Sequence, residues 1–349
     1  MTATIGYVGL NHHHCEPYLA SIELLPAEVI GVCEPDGSVG PGDVGLDPAT
    51  PTYDTPASLI GGEAPDILWI TLSNRETPAV IRTAAEHGVD VYTEKPAGMT
   101  TDDLDPLIED VATASSTVGV SYAWRGHPIS REIRDRCSAG FLGPVQSFSA
   151  RFVASALAFR DTDHYLFDPD QSRGGILQWL GIHWIDLVPW LLDDPIASVS
   201  ARMRHSTTSV KVEDAAALTL ETESGAIGTL LTGYHLREGQ YDTQVDLFGR
   251  DGNVEWDPMG REFGFEGETE VVLDRVAGDW TTPHRRIVHE YEATSGYGGG
   301  WGLAFMEEFL EARSAGVAPP ATLEDTRQVL AVLDAAYEAA DRGSWVDVE

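Results

Sequence analysis

The chain has 349 residues, about the length of two domains, and its 56 acidic against 22 basic side chains give a net charge of −34 at pH 7. So much negative charge repels phosphate backbones and anionic lipid surfaces, which argues against binding to nucleic acid or to a membrane. The three cysteines, Cys15, Cys33 and Cys137, form no even-numbered framework and no C-x-x-C pair, so neither disulfides nor a zinc site is predicted.

The first segment has the pattern of a strand, a turn and a helix. "ATIGYVGL" is β-branched and aromatic, which predicts a buried strand, and the apolar spacing around Pro17 predicts a helix. The turn between them stands where the dinucleotide fingerprint G-x-G-x-x-G places small residues, so that the backbone approaches a pyrophosphate at the helix N-terminus. Gly9 keeps the first glycine, Asn11 stands at the second and tolerates a positive φ, and His14 stands at the third.

Three consecutive histidines, His12, His13 and His14, lie in this turn. Adjacent side chains in a turn are expected to point in different directions, whereas a zinc site usually takes three or four converging ligands from spaced positions. We therefore predict no metal here. His12 and His13 are expected to line the cofactor pocket as hydrogen-bond donors.

A second strand-like run, "AEVIGVCEPDGS", ends at Glu34, about twenty residues after the turn. A carboxylate at this point accepts hydrogen bonds from the ribose hydroxyls of NAD. No arginine follows at once to receive a 2'-phosphate, and Asp36 is a nearby alternative to Glu34. NAD is therefore favoured over NADP as the cofactor.

Strand and helix patterns then alternate up to about Tyr122. "APDILWITLSN" predicts a third strand, "ETPAVIRTAAEHG" a helix closed by Gly88, and "VDVYTEKP" a fourth strand. This alternation predicts a doubly wound parallel sheet. Short alternating runs bounded by Gly, Asp, Asn and Ser follow it, and they predict the strands and hairpins of a second domain.

"TEKPAGMT" is the most informative motif in the chain. It places Lys95, one of only two lysines, at the carboxyl edge of the predicted sheet, where open α/β sheets bind ligands. Here the sequence resembles the Gfo/Idh/MocA family of NAD(P)-dependent oxidoreductases, whose signature is E-K-P. The likeness extends along nearly the whole chain: Asn74 stands at the family's loop asparagine, and "YLFDPDQSRGGILQWLGIHWIDLVPWLL" is similar to its glycine-rich turn and catalytic helix.

The resemblance implies an α/β protein of two domains. Residues 1–122 would form an NAD(P)-binding, Rossmann-like domain with a doubly wound parallel sheet. Residues 123–349 would form an α+β domain with a large open, mostly antiparallel sheet that serves substrate binding and oligomerisation, and the last helix is a candidate to pack back on the first domain. The implied activity is that of a dehydrogenase or reductase acting on CH–OH groups of a sugar, polyol or related hydroxy compound.

Catalysis in that family places the E-K-P lysine, an aspartate and a histidine around the substrate carbinol, the last two as D-x-x-x-H on one helix. His183 matches the histidine, but Trp179 stands where the aspartate is expected. Lys95 is our first candidate for acid/base work and His183 the second. The candidate cofactor-binding residues are Gly9, Asn11, His12, His13, Glu34, Asn74, Glu94 and Lys95.

Four further residues are candidates for contact with the substrate. Arg125 follows the last strand of the first domain, where a substrate-facing loop is expected, and His164 precedes the glycine-rich turn. The i,i+4 spacing puts Trp179 on one helix face with His183. Asp186 lies three residues beyond His183 and is a candidate to orient its ring.

Two alternative functions stay open. Some relatives with this scaffold use transient oxidation to cleave or eliminate, which would make the protein an NAD-recycling glycoside hydrolase or lyase, and Trp179 in place of the aspartate keeps this alternative. The other is a non-catalytic NAD-binding sensor. We also expect a homodimer or homotetramer, as is common in the family.

The N-terminus has neither a basic region nor a long apolar core, so a cytoplasmic location is expected. The acidic residues are scattered and do not form a tail. Their mutual repulsion fades when the screening length falls to about 3 Å at 1 M salt. We therefore expect a halophilic protein in a salt-rich cytoplasm.

Overall fold

The computed structural model describes residues 2–155, 162–206, 210–237, 239–259, 267–276, 284–291 and 294–349. The chain divides into two compact units. The first unit consists of Met1–Ala123 and Thr294–Gln328, and the second of Trp124–Ala293 and Val329–Glu349. The sequence placed residues 294–328 with the second domain, whereas in the structure they cluster with the first unit.

The described helices and strands alternate early in the chain, and strands dominate its second half. The strands are β1 (Ala3–Val8), β2 (Ala27–Cys33), β3 (Thr52–Tyr53), β4 (Ile67–Ile70), β5 (Asp90–Thr93), β6 (Val118–Val120), β7 (Val145–Ala154), β8 (Ile196–Arg204), β9 (Ala215–Thr222), β10 (Ile227–Gly233), β11 (Tyr241–Gly249), β12 (Gly252–Trp256), β13 (Gly267–Arg275), β14 (His284–Tyr291) and β15 (Val346–Asp347). The α-helices are α1 (Cys15–Ile22), α2 (Pro56–Glu63), α3 (Thr77–Glu86), α4 (Thr101–Ala114), α5 (Pro128–Ser138), α6 (Pro169–Ser172), α7 (Ile182–Leu192), α8 (Gly299–Ala315) and α9 (Leu323–Arg342).

The first unit is built on a six-stranded sheet in the order β3-β2-β1-β4-β5-β6, and all its strand pairs are parallel. The prediction of a doubly wound parallel sheet is confirmed. β1 pairs with β2 on one side and with β4 on the other, so the strand order reverses at β1. In open parallel sheets a ligand crevice forms at such a reversal, outside the carboxyl ends of the strands.

Local sequence signals set several helix boundaries in the first unit. Thr55 begins α2 as its N-cap, accepting a hydrogen bond from Ser58 N–H, and Pro56 follows at the first helical position. Thr100 and Asp103 form a capping box at the start of α4. These caps satisfy backbone N–H groups that a helix cannot pair internally.

The second unit carries a nine-stranded sheet in the order β14-β13-β12-β11-β7-β10-β9-β8-β15. β7 and β10 pair in parallel and the other pairs are antiparallel. The predicted mostly antiparallel sheet is therefore confirmed. One face is covered by α7, whose Trp184 packs on Phe152 of β7, and the opposite face of β10 exposes Ile227 and Leu231.

No helix in the part of the chain that the structure describes has the length and apolarity needed to cross a lipid bilayer.

Candidate functional site

The turn after β1 is held against the end of β4. Thr71 Oγ1 donates to the Gly9 carbonyl oxygen at 2.6 Å, and Thr71 N–H donates to Val8 O at 2.9 Å. Gly9 has φ +94°, and a Cβ at this position would lie 2.2 Å from the Thr71 carbonyl oxygen. Glycine is therefore required here both for its backbone conformation and for space.

Asn11 does not supply the second left-handed residue of the turn. Gly9 has a positive φ, but Asn11 is absent from the described non-glycine residues with positive φ, so that expected role is wrong. Its backbone N–H instead donates to Glu34 Oε2 at 2.8 Å. The turn is closed by this hydrogen bond to the next strand rather than by a second special backbone conformation.

Glu34 lies at the carboxyl end of β2, where a ribose-binding carboxylate was predicted. Its side chain is buried, and burial raises the pKa of Glu34 although backbone hydrogen bonds from Asn11 and Leu10 act in the opposite direction. Asp36, the alternative, is exposed and accepts a hydrogen bond from Ser38 N–H. Glu34 is thus the carboxylate that belongs to the turn, and its contact with ribose stays a prediction.

The three histidines converge, contrary to the expectation that their side chains diverge. The ring centroids of His12 and His13 are 4.3 Å apart, those of His13 and His14 are 3.9 Å apart, and one ring nitrogen from each residue lies within 4.8 Å of the others. The reason is that Cys15 N–H donates to His12 O at 2.8 Å, which winds the three residues into one tight turn.

The hydrogen bonding of His12 bears on what this cluster can bind. His12 Nδ1 accepts the backbone N–H of His14 at 3.0 Å. In a neutral imidazole the other nitrogen then carries the hydrogen, so Nε2 of His12 is a donor and not a free lone pair for a metal ion. This arrangement suits an anion better than a cation.

Glu94, directly after β5, forms hydrogen bonds and an ion pair with several groups of the first unit. Its Oε2 accepts hydrogen bonds from Tyr18 Oη at 2.7 Å and from His14 Nδ1 at 3.2 Å, and its Oε1 lies 3.9 Å from Lys95 Nζ. Burial alone raises the pKa of Glu94, but the charges of His14, Lys95 and His12 and the His14 hydrogen bond outweigh it and hold the pKa far below the usual range. Glu94 is therefore a buried, ionised carboxylate.

A chain of buried hydroxyls supports this carboxylate. Tyr18 Oη lies 2.7 Å from both Glu94 Oε2 and Ser121 Oγ, and Tyr92 Oη lies 3.2 Å from Ser121 Oγ. Tyr18 has one hydrogen to donate, and the carboxylate is the stronger acceptor, so Ser121 donates to Tyr18 and Tyr92 donates to Ser121. The hydroxyls are thereby all oriented towards Glu94.

Lys95 follows at the carboxyl edge of the sheet and is 5% exposed. The Glu94 carboxylate stabilises its ammonium form, because opposite charges attract strongly where water is excluded. Asn74 is also buried at this edge, in the loop after β4, and Thr77 begins α3 with its hydroxyl donating to Ser73 O. The predicted cofactor residues of the first unit thus all follow the carboxyl ends of β1, β2, β4 and β5.

Two features of this edge fit a dinucleotide. The tight turn at Gly9 leaves no side chain between the backbone and a ligand, as a pyrophosphate requires. Glu94 Oε1 is buried without a hydrogen-bond partner in the described structure, so it is an acceptor available to a donor of a bound group. Such a buried acceptor is uncommon unless a ligand or an ion completes it.

Sequence analysis missed His14, Tyr18 and Tyr297 as members of this site. The Tyr297 ring stacks on Tyr18 with centroids 4.5 Å apart and lies 4.7 Å from His14, and its N–H donates to Ser21 Oγ at 3.0 Å. His14 occupies the third fingerprint position and Tyr18 lies one helical turn beyond it, so both had a local signal. Tyr297 is separated from Ser21 by 276 residues, so no local sequence pattern indicated that it belongs to this site.

In the second unit, His183 stands one residue into α7, after a π-helical turn that spans Leu177–Gly181. It is buried, and its ring lies 6.2 Å from Phe152, whereas the Trp179 ring lies 5.7 Å from Tyr234. A π-turn winds slightly less per residue than an α-helix, but four residues make close to one full turn in both, so the shared face of Trp179 and His183 stays a prediction.

Arg125 and Asp186, both predicted to contact substrate, form a buried ion pair with each other. Arg125 Nε lies 3.1 Å from each carboxylate oxygen of Asp186, and Nη2 lies 2.5 Å from Oδ1. The Asp186 carboxylate is thus engaged by a guanidinium, and its expected role of orienting His183 stays a prediction. The pair ties α7 to the segment that precedes α5.

His164 stands at the N-cap of a short 3-10 helix, Tyr165–Phe167, and its Nδ1 accepts from Leu166 N–H at 3.3 Å. This is a capping contact, and a role towards substrate stays a prediction.

Glu213 organises the glycine-rich turn that leads to α7, and sequence analysis did not single it out. Its carboxylate accepts from Gly175 N–H at 2.7 Å, Leu177 N–H at 3.0 Å and Tyr337 Oη at 3.1 Å. A Cβ at Gly175 would lie 2.1 Å from the Glu213 carbonyl oxygen, so the turn admits only glycine there. Burial raises the pKa of Glu213, against the effect of these hydrogen bonds.

Comparison with known proteins gives consistent matches for both parts of the chain. Residues 2–122 match the model of an oxidoreductase family with an NAD-binding Rossmann fold, and residues 130–255 match the GFO/IDH/MocA C-terminal domain. The chain is 23% identical to D-xylose 1-dehydrogenase (NADP(+)) 2 of Haloferax volcanii, with 100% of both chains covered. It is 22% identical to D-apiose dehydrogenase of Rhizobium rhizogenes over 85% of this chain and 83% of that protein.

Solved structures share the fold. An oxidoreductase domain protein from Kribbella flavida superposes with a TM-score of 0.84 at 20% identity, covering 100% of both chains. Levoglucosan dehydrogenase in complex with NADH and levoglucosan superposes with a TM-score of 0.84 at 18% identity, again over 100% of both chains. At these identities the likeness establishes the architecture of the two units.

Proposed function

Because this chain belongs to the GFO/IDH/MocA oxidoreductase family, we propose that it is an NAD-dependent dehydrogenase or reductase of a sugar, polyol or related hydroxy compound. The observation that carries the proposal is the arrangement in the first unit. A glycine turn closed by Glu34 and a buried Glu94–Lys95 pair lie at the carboxyl edge of one parallel sheet. Relatives named for xylose and apiose support a carbohydrate-like substrate.

When bound, the nicotinamide would supply the hydride acceptor or donor. The chain's own contribution is proton handling and orientation. Lys95 Nζ would take the proton of a substrate hydroxyl during oxidation and return it during reduction. Because Glu94 stabilises the ammonium form, the protonated amine is ready to act as an acid in the reduction direction.

His183 is the second proposed acid/base residue. It stands on α7, whose approach is fixed by Glu213 at the glycine-rich turn and whose first turns are tied down by the Asp186 pair with Arg125. A rigid setting of this kind limits the positions of the imidazole, which proton transfer requires.

We propose NAD rather than NADP because of Glu34. Its carboxylate is buried at the end of β2 and bound to the turn, where a 2'-phosphate would bring negative charge towards it. The Haloferax volcanii relative is named for NADP(+), so the preference rests on this residue and not on the relatives.

An NAD-recycling hydrolase or lyase is the second candidate, because Trp179 is buried where the family carries an aspartate. A non-catalytic NAD-binding sensor is the third. The protein would function as a homodimer or homotetramer in a salt-rich cytoplasm. The exposed apolar side chains of Ile227 and Leu231 support oligomerisation. The net charge of −34 supports the salt-rich cytoplasm.

One experiment separates the three functions. The wild-type chain and a Lys95→Met variant are incubated with NAD and a panel of sugars, polyols and glycosides in molar KCl. NADH that accumulates with the wild type alone indicates a dehydrogenase, whereas cleaved product without net NADH indicates cofactor recycling. Cofactor binding with neither product indicates a sensor, and no binding of NAD or NADP rejects the proposal.

A further inference from the structure

His14 links the cofactor turn to the E-K-P motif. It is the last residue before α1, and its Nδ1 lies 3.2 Å from Glu94 Oε2. Its side chain is 20% exposed, whereas that of Glu94 is 6% exposed. The carboxylate is therefore buried behind an imidazole that still reaches the surface of the turn. A small residue stands at this position in the fingerprint, so His14 adds a group that an ordinary turn lacks.

The contact with Glu94 determines which form of the imidazole is stabilised. An ionised carboxylate only accepts hydrogen bonds, so His14 Nδ1 carries a hydrogen. Because Tyr18 donates to the same Oε2, no proton is available from the carboxylate side. The buried negative charge at 3.2 Å favours the doubly protonated imidazolium over the neutral ring.

Other titratable groups face this pair from the elements around it. They are His12 and His13 in the turn, Tyr7 on β1, Tyr18 on α1, Tyr92 on β5, Lys95 after β5, and Tyr297 before α8. Additional positive charge on His12, His13 or Lys95 opposes protonation of His14, and Glu94 favours it. The tyrosines Tyr18 and Tyr92 are buried and their pKa values are raised by burial, so they stay neutral.

Resting on the proposed function, we propose that His14 is a cofactor-binding residue that acts as an imidazolium. Held by Glu94, it would place a positive charge at the turn and helix N-terminus that bind the pyrophosphate of a dinucleotide. Affinity for the cofactor would then be linked to the uptake of a proton.

The direction of this linkage follows from the charges. A bound pyrophosphate stabilises the imidazolium, so binding raises the affinity of His14 for its proton, and protons are taken up with the ligand. Affinity is highest when His14 is already protonated and falls as pH rises through the range in which histidines titrate. Because the ring is partly exposed, we expect a fall of about three- to tenfold between pH 6 and pH 8.5.

The test uses ADP-ribose, which carries the pyrophosphate without the nicotinamide, so that no substrate or turnover is needed. Isothermal titration in buffers of different ionisation enthalpy, at one fixed KCl concentration, gives both the affinity and the number of protons taken up. The wild type should take up a fraction of one proton near neutral pH. His14→Gln should bind more weakly at pH 6 and take up almost none.

Two further variants sharpen the result. His14→Lys keeps a positive charge at all these pH values, so its affinity should be high and nearly independent of pH. Glu94→Gln removes the anion that favours the imidazolium, so the fall in affinity should move to lower pH. The matched control is His87→Gln at the exposed end of α3, which should behave as the wild type.

The outcomes are distinct. Equal proton uptake in the wild type and His14→Gln, or affinity that is independent of pH in the wild type, overturns the inference and leaves the proposed function standing. If neither ADP-ribose nor NADH binds at any pH, the proposed function fails and the inference fails with it. Should His14→Gln not fold, the comparison of the wild type with His14→Lys still decides.

Discussion

The carboxylate of Glu94 faces the amine of Lys95 at 3.9 Å, and both side chains are buried where β5 ends. Glu94 is anchored by Tyr18 and His14 and holds its charge. In the function proposed above, Lys95 is the group that moves a proton, and the neighbouring anion stabilises its ammonium form.

Lys95→Met should lower turnover by roughly 10²- to 10⁴-fold, the usual loss for a general acid or base, while NADH affinity changes little. Lys95→Arg should not restore turnover, because guanidinium keeps the charge but does not release its proton near neutral pH. Steady-state kinetics and NADH titration measure the two effects separately. His183→Ala should lower turnover less than Lys95→Met does. Full activity in Lys95→Met would show that the lysine is structural.

Glu34→Ala should narrow the preference for NADH over NADPH. If the carboxylate repels a 2'-phosphate as proposed, its removal abolishes that repulsion together with the hydrogen bond from Asn11 N–H. Fluorescence titration with both cofactors gives the ratio of dissociation constants. Wild-type protein that binds NADPH as tightly as NADH would remove Glu34 from this role.

Arg125→Met and Asp186→Leu should each lower the free energy of unfolding by about 3–5 kcal/mol, because each leaves a buried charge without its partner. The double variant should recover much of the loss, since two apolar side chains replace the pair. Urea unfolding at fixed KCl measures the free energy of unfolding of the wild type, both single variants and the double variant. Activity then separates a purely structural pair from a functional one: a double variant that is stable but inactive would show that the pair serves the reaction, by contact with substrate or by holding α7.

Burial, together with the nearby His289, lowers the pKa of His127 to about 3. In the unfolded chain a histidine titrates at about 6.5, so between these values the unfolded state binds a proton that the folded state does not. Stability contributed by neutral His127 is present above about pH 6.5 and is lost, by at most about 1.4 kcal/mol per pH unit, as pH falls towards 3.

The His127→Asn variant tests this, because asparagine keeps an acceptor for Ile129 N–H at the start of α5. The wild type should be the more stable protein at pH 7, where its ring packs against Trp124 and Trp256. The difference in free energy of unfolding should shrink as pH is lowered from 7 to 5. Parallel stability profiles for the two proteins would contradict the assignment.

The net charge of −34 predicts a strong dependence of stability on salt. Removing salt lengthens the range of repulsion among the acidic side chains and destabilises the folded state. The melting temperature should rise steeply towards molar KCl. A flat profile between about 0.1 M and 2 M would rule out the halophilic interpretation, because the screening length changes several-fold over that range.

Sequence patterns predicted what depends on local chemistry. The apolar strands, the fingerprint glycine and the E-K-P motif placed Gly9, Glu34 and Lys95 at one edge of a parallel sheet, as observed. They did not predict contacts made across the fold. The pairing of Arg125 with Asp186 joins residues 61 apart, and no periodicity signals it.

One error arose from assuming that adjacent side chains in a turn diverge. The histidine rings converge because one backbone hydrogen bond from Cys15 to His12 winds the turn and brings them together. Composition does not encode this backbone hydrogen bond. The π-turn at Leu177–Gly181 was also not predicted from the sequence, but it leaves the i,i+4 argument for Trp179 as a prediction.

The segment Thr294–Gln328 completes the first unit, although it is synthesised after residues 124–293 of the second unit. Phe309 of α8 is fully buried against Tyr92 and fills the space that Gly119 leaves without a side chain, and Arg313 binds Asp66 and Asp90. During synthesis the side of the parallel sheet that α8 covers therefore stays exposed while about 170 residues of the second unit are made. A truncated protein ending after Ala123 would carry the whole fingerprint and the E-K-P motif, yet it would expose Tyr92 and aggregate.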